Sequence, residues 1–224
     1  MQKQNLLACS LALTIVLGGG AAVAGDSQRV QLIDDFESGP VHELMPSMPA
    51  DWGVSYQEAD HALGGVRQTN LISDDRLGAS SRVDIDGGRM LVSTGINSYF
   101  GAFLAYGYDA TGNARGKIGD FTGYDYFQID FEASDPGLNY LIEVWDGDGT
   151  GGLLAGTLTT EALAIPFSAK LPLADVQGVN TEGNPQAIHW EDIHYLIVYF
   201  QTANASGGND FSVSKVSIVD EPEE

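Results

Sequence analysis

The sequence predicts an all-β fold, an antiparallel sandwich, on three observations. Helical periodicity is nearly absent along the 224 residues, short runs rich in Val, Ile, Phe and Tyr recur, and clusters of Gly, Asp, Asn and Ser separate those runs. The composition, 43% hydrophobic and 18% charged with 28 glycines, is that of a globular chain and neither disordered nor collagen-like.

The first strand is expected at 30–36. Strands follow at 66–72, 82–86 and 89–93, the last two joined by Asp86-Gly87-Gly88, whose glycines supply the positive φ of a tight hairpin. Another is expected at 100–107. In Phe127-Gln128-Ile129-Asp130-Phe131-Glu132-Ala133 apolar and polar residues alternate strictly, which puts one face on a core and the other in water. In 138–145 the same alternation places Tyr140, Ile142 and Val144 on the core side and Leu141, Glu143 and Trp145 on the opposite face. After a strand at 162–167 comes 193–201, with Ile193, Tyr195, Ile197 and Tyr199 on one face and Leu196, Val198 and Phe200 on the other. Being apolar on both sides, it is expected at the centre of a sheet, covered on both faces. In the last strand, 211–219, the apolar phase changes between Val213 and Val216, the mark of a β-bulge or a bend. The stretches 37–65 and 168–189, which hold five of the eight prolines, are expected to wrap the sandwich as loops.

Residues 1–24 are read as a secretory signal. Lys3 precedes an apolar run, Leu6–Leu17, which is followed by a glycine triplet and by Ala22-Val23-Ala24, with cleavage expected after Ala24. The run falls short of the roughly 20 residues a spanning helix needs, so membrane insertion is not expected. Cleavage removes the only cysteine, Cys9, and with it any disulfide or Cys-ligated zinc. Residues 25–220 are left as one sandwich domain and 221–224 as an acidic tail. The formal charge of −21 opposes binding to nucleic acid or to an anionic membrane. The expected location is outside the cytoplasm, in the periplasm or beyond the cell if the source is bacterial.

Several segments carry a family likeness in their order. Asp34-Asp35-Phe36-Glu37 opens the first strand, and Gly119-Asp120-Phe121-Thr122-Gly123-Tyr124 introduces the strand that continues Phe127-Gln128-Ile129-Asp130-Phe131. Ile165-Pro166-Phe167, Asp192-Ile193 before Leu196-Ile197-Val198, and Phe211-Ser212-Val213-Ser214-Lys215-Val216-Ser217-Ile218 follow. This order resembles the galactose-binding-like jelly-roll β-sandwiches, in particular the complex I intermediate-associated type and the family-eleven carbohydrate-binding modules. The first branch acts in respiratory-complex assembly, a role that does not suit an exported chain. The second implies carbohydrate binding. The resemblance also implies one structural calcium at the ends of the first and last strands, where Asp35, Glu37, Asp210 and Asp220 are the matching acids.

Sugar recognition needs aromatic faces for C–H groups to stack on, with carboxylates and amides to bond hydroxyls. Trp145 beside Glu143 is the leading platform, with Tyr106 and Tyr108 as further ligand contacts from a tyrosine-rich stretch. Asp146-Gly147-Asp148-Gly149-Thr150-Gly151-Gly152 has the start of a calcium loop, but Thr157 stands where the bidentate acid belongs, so a solvated hairpin is expected. His189 and His194, five apart, are expected on opposite faces of a strand, unlike the four-residue spacing of a helical zinc motif. With neither a Gly-x-Ser-x-Gly elbow nor a phosphate loop, no catalytic residue is expected. The chain thus reads as a secreted non-catalytic binding protein for a polysaccharide or cell-surface glycan. The alternative is a structural or matrix protein of the cell surface. The two differ in whether Trp145 and nearby tyrosines are exposed together or buried separately. The export reading is checked by intact mass: protein recovered from the exported fraction is expected to lack Met1 to Ala24 and to carry no acyl chain.

Overall fold

The structure, a computed structural model, describes residues 28–46, 52–75, 81–95, 98–158, 166–202 and 208–221. The signal segment, the start of the strand expected at 162–167 and the last three residues of the acidic tail lie outside the described residues. In chain order the strands are β1 (Val30–Asp34), β2 (Val41–Leu44), β3 (Trp52–Glu58), β4 (Val66–Asp75), β5 (Arg82–Ile85), β6 (Met90–Ser93), β7 (Ser98–Tyr106), β8 (Tyr126–Ser134), β9 (Leu138–Asp146), β10 (Gly151–Leu158), β11 (Phe167–Pro172), β12 (Ile193–Thr202) and β13 (Phe211–Val219). Only two 3-10 turns, Leu63–Gly65 and Leu173–Asp175, interrupt them among the described residues.

The strands form two sheets. One runs β11-β8-β13-β6-β5-β2 with β1 paired to β13; the other runs β10-β9-β12-β7-β4-β3. The expected all-β jelly-roll sandwich is the architecture adopted. Facing side chains of the two sheets interlock as aromatic pairs, Phe200 with Phe211 at 5.0 Å and Phe131 with Phe200 at 6.2 Å between ring centroids. All three are buried, and each contributes about 1.5–3 kcal/mol of transfer free energy.

Period-two patterning explains most of the strands. β8 and β9 bury alternate residues, as their sequences require. Asp86-Gly87-Gly88 closes the β5–β6 hairpin, with Asp86 N–H donating to Arg89 O at 3.1 Å. The phase change in β13 is a bulge: its register on β8 shifts between Ser212 and Val213 and again before Lys215. On its other edge β13 exchanges neighbours there, pairing β6 through Phe211 to Val213 and β1 through Val216 to Val219.

Two expectations about organisation are corrected. The stretch 37–65 contains β2 and β3, and 168–189 contains most of β11. β3 faces Gly53 and Gln57 inward and Trp52, Val54 and Tyr56 outward, so it carries the period-two alternation of a strand with its apolar side turned to the outer surface. β12 is central in its sheet, but only one face is covered. Leu196, Val198 and Phe200 are in the core, while Tyr195, Ile197 and Tyr199 are half-buried on an open outer face.

A buried ion pair joins the sheets. Arg67 of β4, fully buried, places Nη1 2.9 and 3.0 Å from the two carboxylate oxygens of Asp34 at the end of β1. Its Nη2 donates to Ser38 O at 3.1 Å and to Gly39 O. Tyr106 of β7 donates its hydroxyl to Asp34 Oδ2 at 3.0 Å, and Phe36 N–H donates to Oδ1 at 2.9 Å. Burial raises the Asp34 carboxyl above the ordinary aspartate range, while the guanidinium and these donors pull it down. Removing one partner strands a buried charge. Arg67→Met is expected to cost about 3–5 kcal/mol in chemical denaturation, and Tyr106→Phe about 1–3 kcal/mol.

Candidate functional site

The outer face of the six-stranded sheet can be assembled from its register. Tyr195 stands opposite Trp145, and Ile197 stands between Glu143 and Ala105. Tyr199 stands between Leu141 and Phe103. Ala105 in turn faces Gln68, which faces Tyr56 at the sheet edge. Glu143, Ile197, Ala105, Gln68 and Tyr56 thus form a row running across five strands. Trp145 and Tyr195 border it on one side, Tyr199 and Phe103 on the other.

A cleft of about 440 Å³ opens at the Trp145 end of this face. Tyr108, just beyond β7, completes its aromatic wall, its ring 5.2 Å from that of Tyr195. The Asp146–Gly149 turn and His194 form the rim. A bulge between Ile193 and Tyr195 sets this arrangement, because one extra residue sends Ile193 into the core and turns both His194 and Tyr195 to the cleft. Gly107 permits the close approach of that bulge: a Cβ there would stand 2.2 Å from His194 O.

Glu143 organises the cleft floor. Trp145 Nε1–H donates to its Oε1 at 2.6 Å and the Tyr199 hydroxyl donates to its Oε2 at 3.1 Å. Burial and then the neighbouring Glu143 charge push the Tyr199 phenol up to about 12. Burial likewise raises Tyr108, with Tyr195, Tyr56 and Glu143 adding to the effect. The Trp145 indole lies against the backbone of Gly151 on β10, where a Cβ would come within 2.7 Å of the ring. Aromatic contacts continue along the face, Tyr199 with Phe103 at 5.2 Å and Phe103 with Trp52 at 5.8 Å.

Three turns share one construction. In Asp109–Asn113, Asp146–Thr150 and Asn180–Asn184 the first side chain's Oδ1 accepts the backbone N–H groups of the third and fifth residues, at 2.8–3.1 Å. The Thr111 hydroxyl and Asn113 N–H hold the Asp109 carboxyl at about 2. Asp146, buried, also takes the N–H of His189 at 2.9 Å, which ties the β9–β10 hairpin to the chain entering β12. The hairpin reading of 146–152 therefore holds, although its anchoring acid is turned inward.

The expected site residues fare unequally. Glu143, Trp145 and Tyr108 meet at the cleft. Tyr106 does not: it is fully buried and its hydroxyl serves Asp34, because it shares the core-facing phase of Phe100, Ala102 and Leu104. The acids proposed for calcium do not converge. Asp35 lies 3.0 Å from His61 Nδ1, and Asp220 pairs with Arg29 at 2.8 Å. Asp210 accepts Thr94 N–H at the opposite end of β13, and Glu37 lies over Gly88 of the β5–β6 turn. Among the described residues no three His, Cys, Asp or Glu side chains gather as a metal site requires. His189 and His194 are not on opposite faces of one strand, since His189 precedes β12; each stands by its own acid, Asp148 at 3.1 Å and Asp192 at 3.3 Å. Sequence reasoning missed Tyr195, Tyr199 and Phe103. The Tyr-x-Ile-x-Tyr spacing of β12 is the visible signal of the two tyrosines; Phe103, on β7, has none.

A second cleft, about 420 Å³, lies on the seven-stranded sheet. Its side chains are already engaged with one another, Arg82 with Asp84 at 3.1 Å and Arg89 with Glu132 at 4.0 Å, and it offers no aromatic surface.

No protein-family model matches this sequence, and no curated protein does. Among solved structures, the chain is similar to the family 11 carbohydrate-binding module of a cellulosomal cellulase of Clostridium thermocellum, at 14% identity and a TM-score of 0.44, over 89% of this chain and 99% of that one. A family 11 module of the same organism, solved with a β-1,3-1,4-mixed-linked tetrasaccharide, is similar at 13% identity and a TM-score of 0.41, over 87% and 98% of the two chains. An agarase is similar at 10% identity and a TM-score of 0.44, over 86% of this chain and 25% of the enzyme. At such scores these likenesses lend nothing to the site, which stands on its own residues.

Asp146 is the anchor of the rim. Asp146→Ala leaves buried N–H donors without partners and is expected to cost about 2–4 kcal/mol in chemical denaturation. Amide exchange should quicken first at Asp148, Thr150 and His189.

Proposed function

We propose that the protein is a non-catalytic carbohydrate-binding protein that holds a glycan chain on the outer face of its six-stranded sheet. The observation that supports this most is the grouping of Trp145, Tyr195 and Tyr108 around one cleft with Glu143 at its floor. Sugar rings offer C–H faces to such aromatic surfaces, and their hydroxyls seek carboxylate and amide partners of the kind Glu143 and Gln68 present. The row across five strands suits an extended ligand better than a compact one. The structural-protein alternative predicts rings buried separately, and a shared cleft speaks against it.

The non-catalytic part of the proposal rests on how the acids are used. Glycoside hydrolysis employs two carboxyl groups flanking the bond, one as acid and one as base or nucleophile. Asp146, the other acid lining the cleft, is turned into its own hairpin, so Glu143 has no second free carboxyl opposite it in the cleft. We place the protein outside the cytoplasm, in keeping with the signal expected of residues 1–24.

The test is a glycan array followed by calorimetric titration of the hits. Trp145→Ala and Tyr195→Ala are each expected to weaken binding at least tenfold, about 1.4 kcal/mol, with the fold intact by circular dichroism. Absence of any hit would favour the structural role, and release of shortened products would show catalysis.

A further inference from the structure

We propose, resting on the carbohydrate reading above, that the cleft selects glycans bearing protonated amino groups, of the glucosamine-polymer class, over neutral or acidic glycans. The geometry is that of an aromatic enclosure with an anion inside. Tyr108 and Tyr195 stand 5.2 Å apart, Trp145 is opposite Tyr195, and Tyr199 donates to the same carboxylate as Trp145. An alkylammonium is attracted to the negative faces of such rings, and the attraction grows as water is displaced. The Glu143 carboxylate has about four lone-pair sites. Its two neutral donors leave room for a charge-assisted bond from an ammonium, which is stronger than one from a hydroxyl.

The distribution of charge points the same way. No described Lys or Arg lines the cleft. Arg82, Arg89 and Lys215 are paired with acids of the seven-stranded sheet, Lys170 lies over the Tyr126 ring, and Arg67 is in the core. The one basic side chain lining the cleft, His194, is 3.3 Å from Asp192, which offsets its charge when it is protonated. A uronate or sulfated glycan would therefore bring its anion to Glu143 with no lysine or arginine lining the cleft to receive it. A neutral glycan could stack, but would cover the carboxylate without supplying a counter-charge. The formal charge of −21 on the whole chain draws cationic ligands toward it during encounter.

The experiment is isothermal titration of the intact protein with a β-linked glucosamine tetrasaccharide, its fully N-acetylated counterpart and a neutral glucan tetrasaccharide, at mildly acid pH and at low and high salt. The expected result is that the glucosamine oligomer binds at least tenfold more tightly than the other two, an advantage that shrinks with salt. Glu143→Gln removes the charge but keeps an acceptor for the Trp145 indole, so it is expected to weaken the glucosamine oligomer more than the N-acetylated one and thereby to erase the preference. Asp60→Asn and Asp175→Asn, at exposed acids that do not line the cleft, are expected to change nothing. The proposal is overturned if either uncharged oligomer binds as tightly as the glucosamine oligomer. It is equally overturned if the two surface substitutions weaken binding as much as Glu143→Gln does, since the attraction would then be diffuse. If none of the three oligomers binds, this proposal is overturned, and the carbohydrate reading fails with it only where the glycan array also gives no hit.

Discussion

The contact between Arg67 and Asp34 governs more of this molecule than its size suggests. It is buried, it links a strand of one sheet to the end of a strand of the other, and it draws in the Tyr106 hydroxyl from a third. Its effect on the candidate site comes through the two-residue period of β-strands. Arg67 points inward, so Gln68 must point outward; Tyr106 points inward, so Ala105 must point outward. A slip of one residue in β4 would drive an arginine out of the core and a glutamine into it, and one in β7 would drive a tyrosine out and an alanine in. The guanidinium thus holds the register of two strands that floor the outer face. In isolation a buried ion pair is weak evidence of stability, but here its geometric consequence is clear.

The sandwich divides its labour between its two outer surfaces. The seven-stranded sheet carries paired charges: Lys215 with Asp130 at 2.9 Å, Arg82 with Asp84, Arg89 with Glu132. Exposed partners of this kind contribute little to stability, but they keep that face solvated and leave few groups free for a ligand. The six-stranded sheet carries rings and amides instead. Trp52, Val54, Tyr56, Tyr99 and Leu153 are among the most exposed large apolar residues of the described chain, and by register all five project from this face. An accumulation of apolar surface on one side of a sheet is seldom retained without a use.

Much of this was legible in the sequence, and the failures have identifiable causes. The alternation in Leu138–Trp145 assigned Glu143 and Trp145 to the outer face correctly, and the phase change in Phe211–Val219 marked a real bulge. The alternation Phe100-Ala102-Leu104-Tyr106 also marks Tyr106 as a core residue, although it stands within a cluster of tyrosines. The bulge at His194 left no comparable trace, because Ile193 and Tyr195 are both apolar and fit either face. β3 carries a legible alternation, Trp52, Val54 and Tyr56 against Gly53, Ser55 and Gln57, but it lies in a stretch whose prolines, Pro40, Pro46 and Pro49, point to loop. The partners of the four acids expected to bind calcium were out of reach for another reason. Arg29 lies 191 residues from Asp220, and His61 lies 26 from Asp35, so nothing local announced that these carboxylates are engaged.

The placement of Trp145 on the backbone of Gly151 has one more consequence. The indole is held from beneath by the neighbouring strand and at its nitrogen by Glu143, so both of its side-chain torsions are settled before any ligand arrives. Immobilising a free side chain on binding costs about 0.5–1.5 kcal/mol. Here folding has already met that cost, and the platform is preorganised. A side chain at position 151 would lift the ring from its bed and return that entropy to the unbound state, weakening association without touching the ligand.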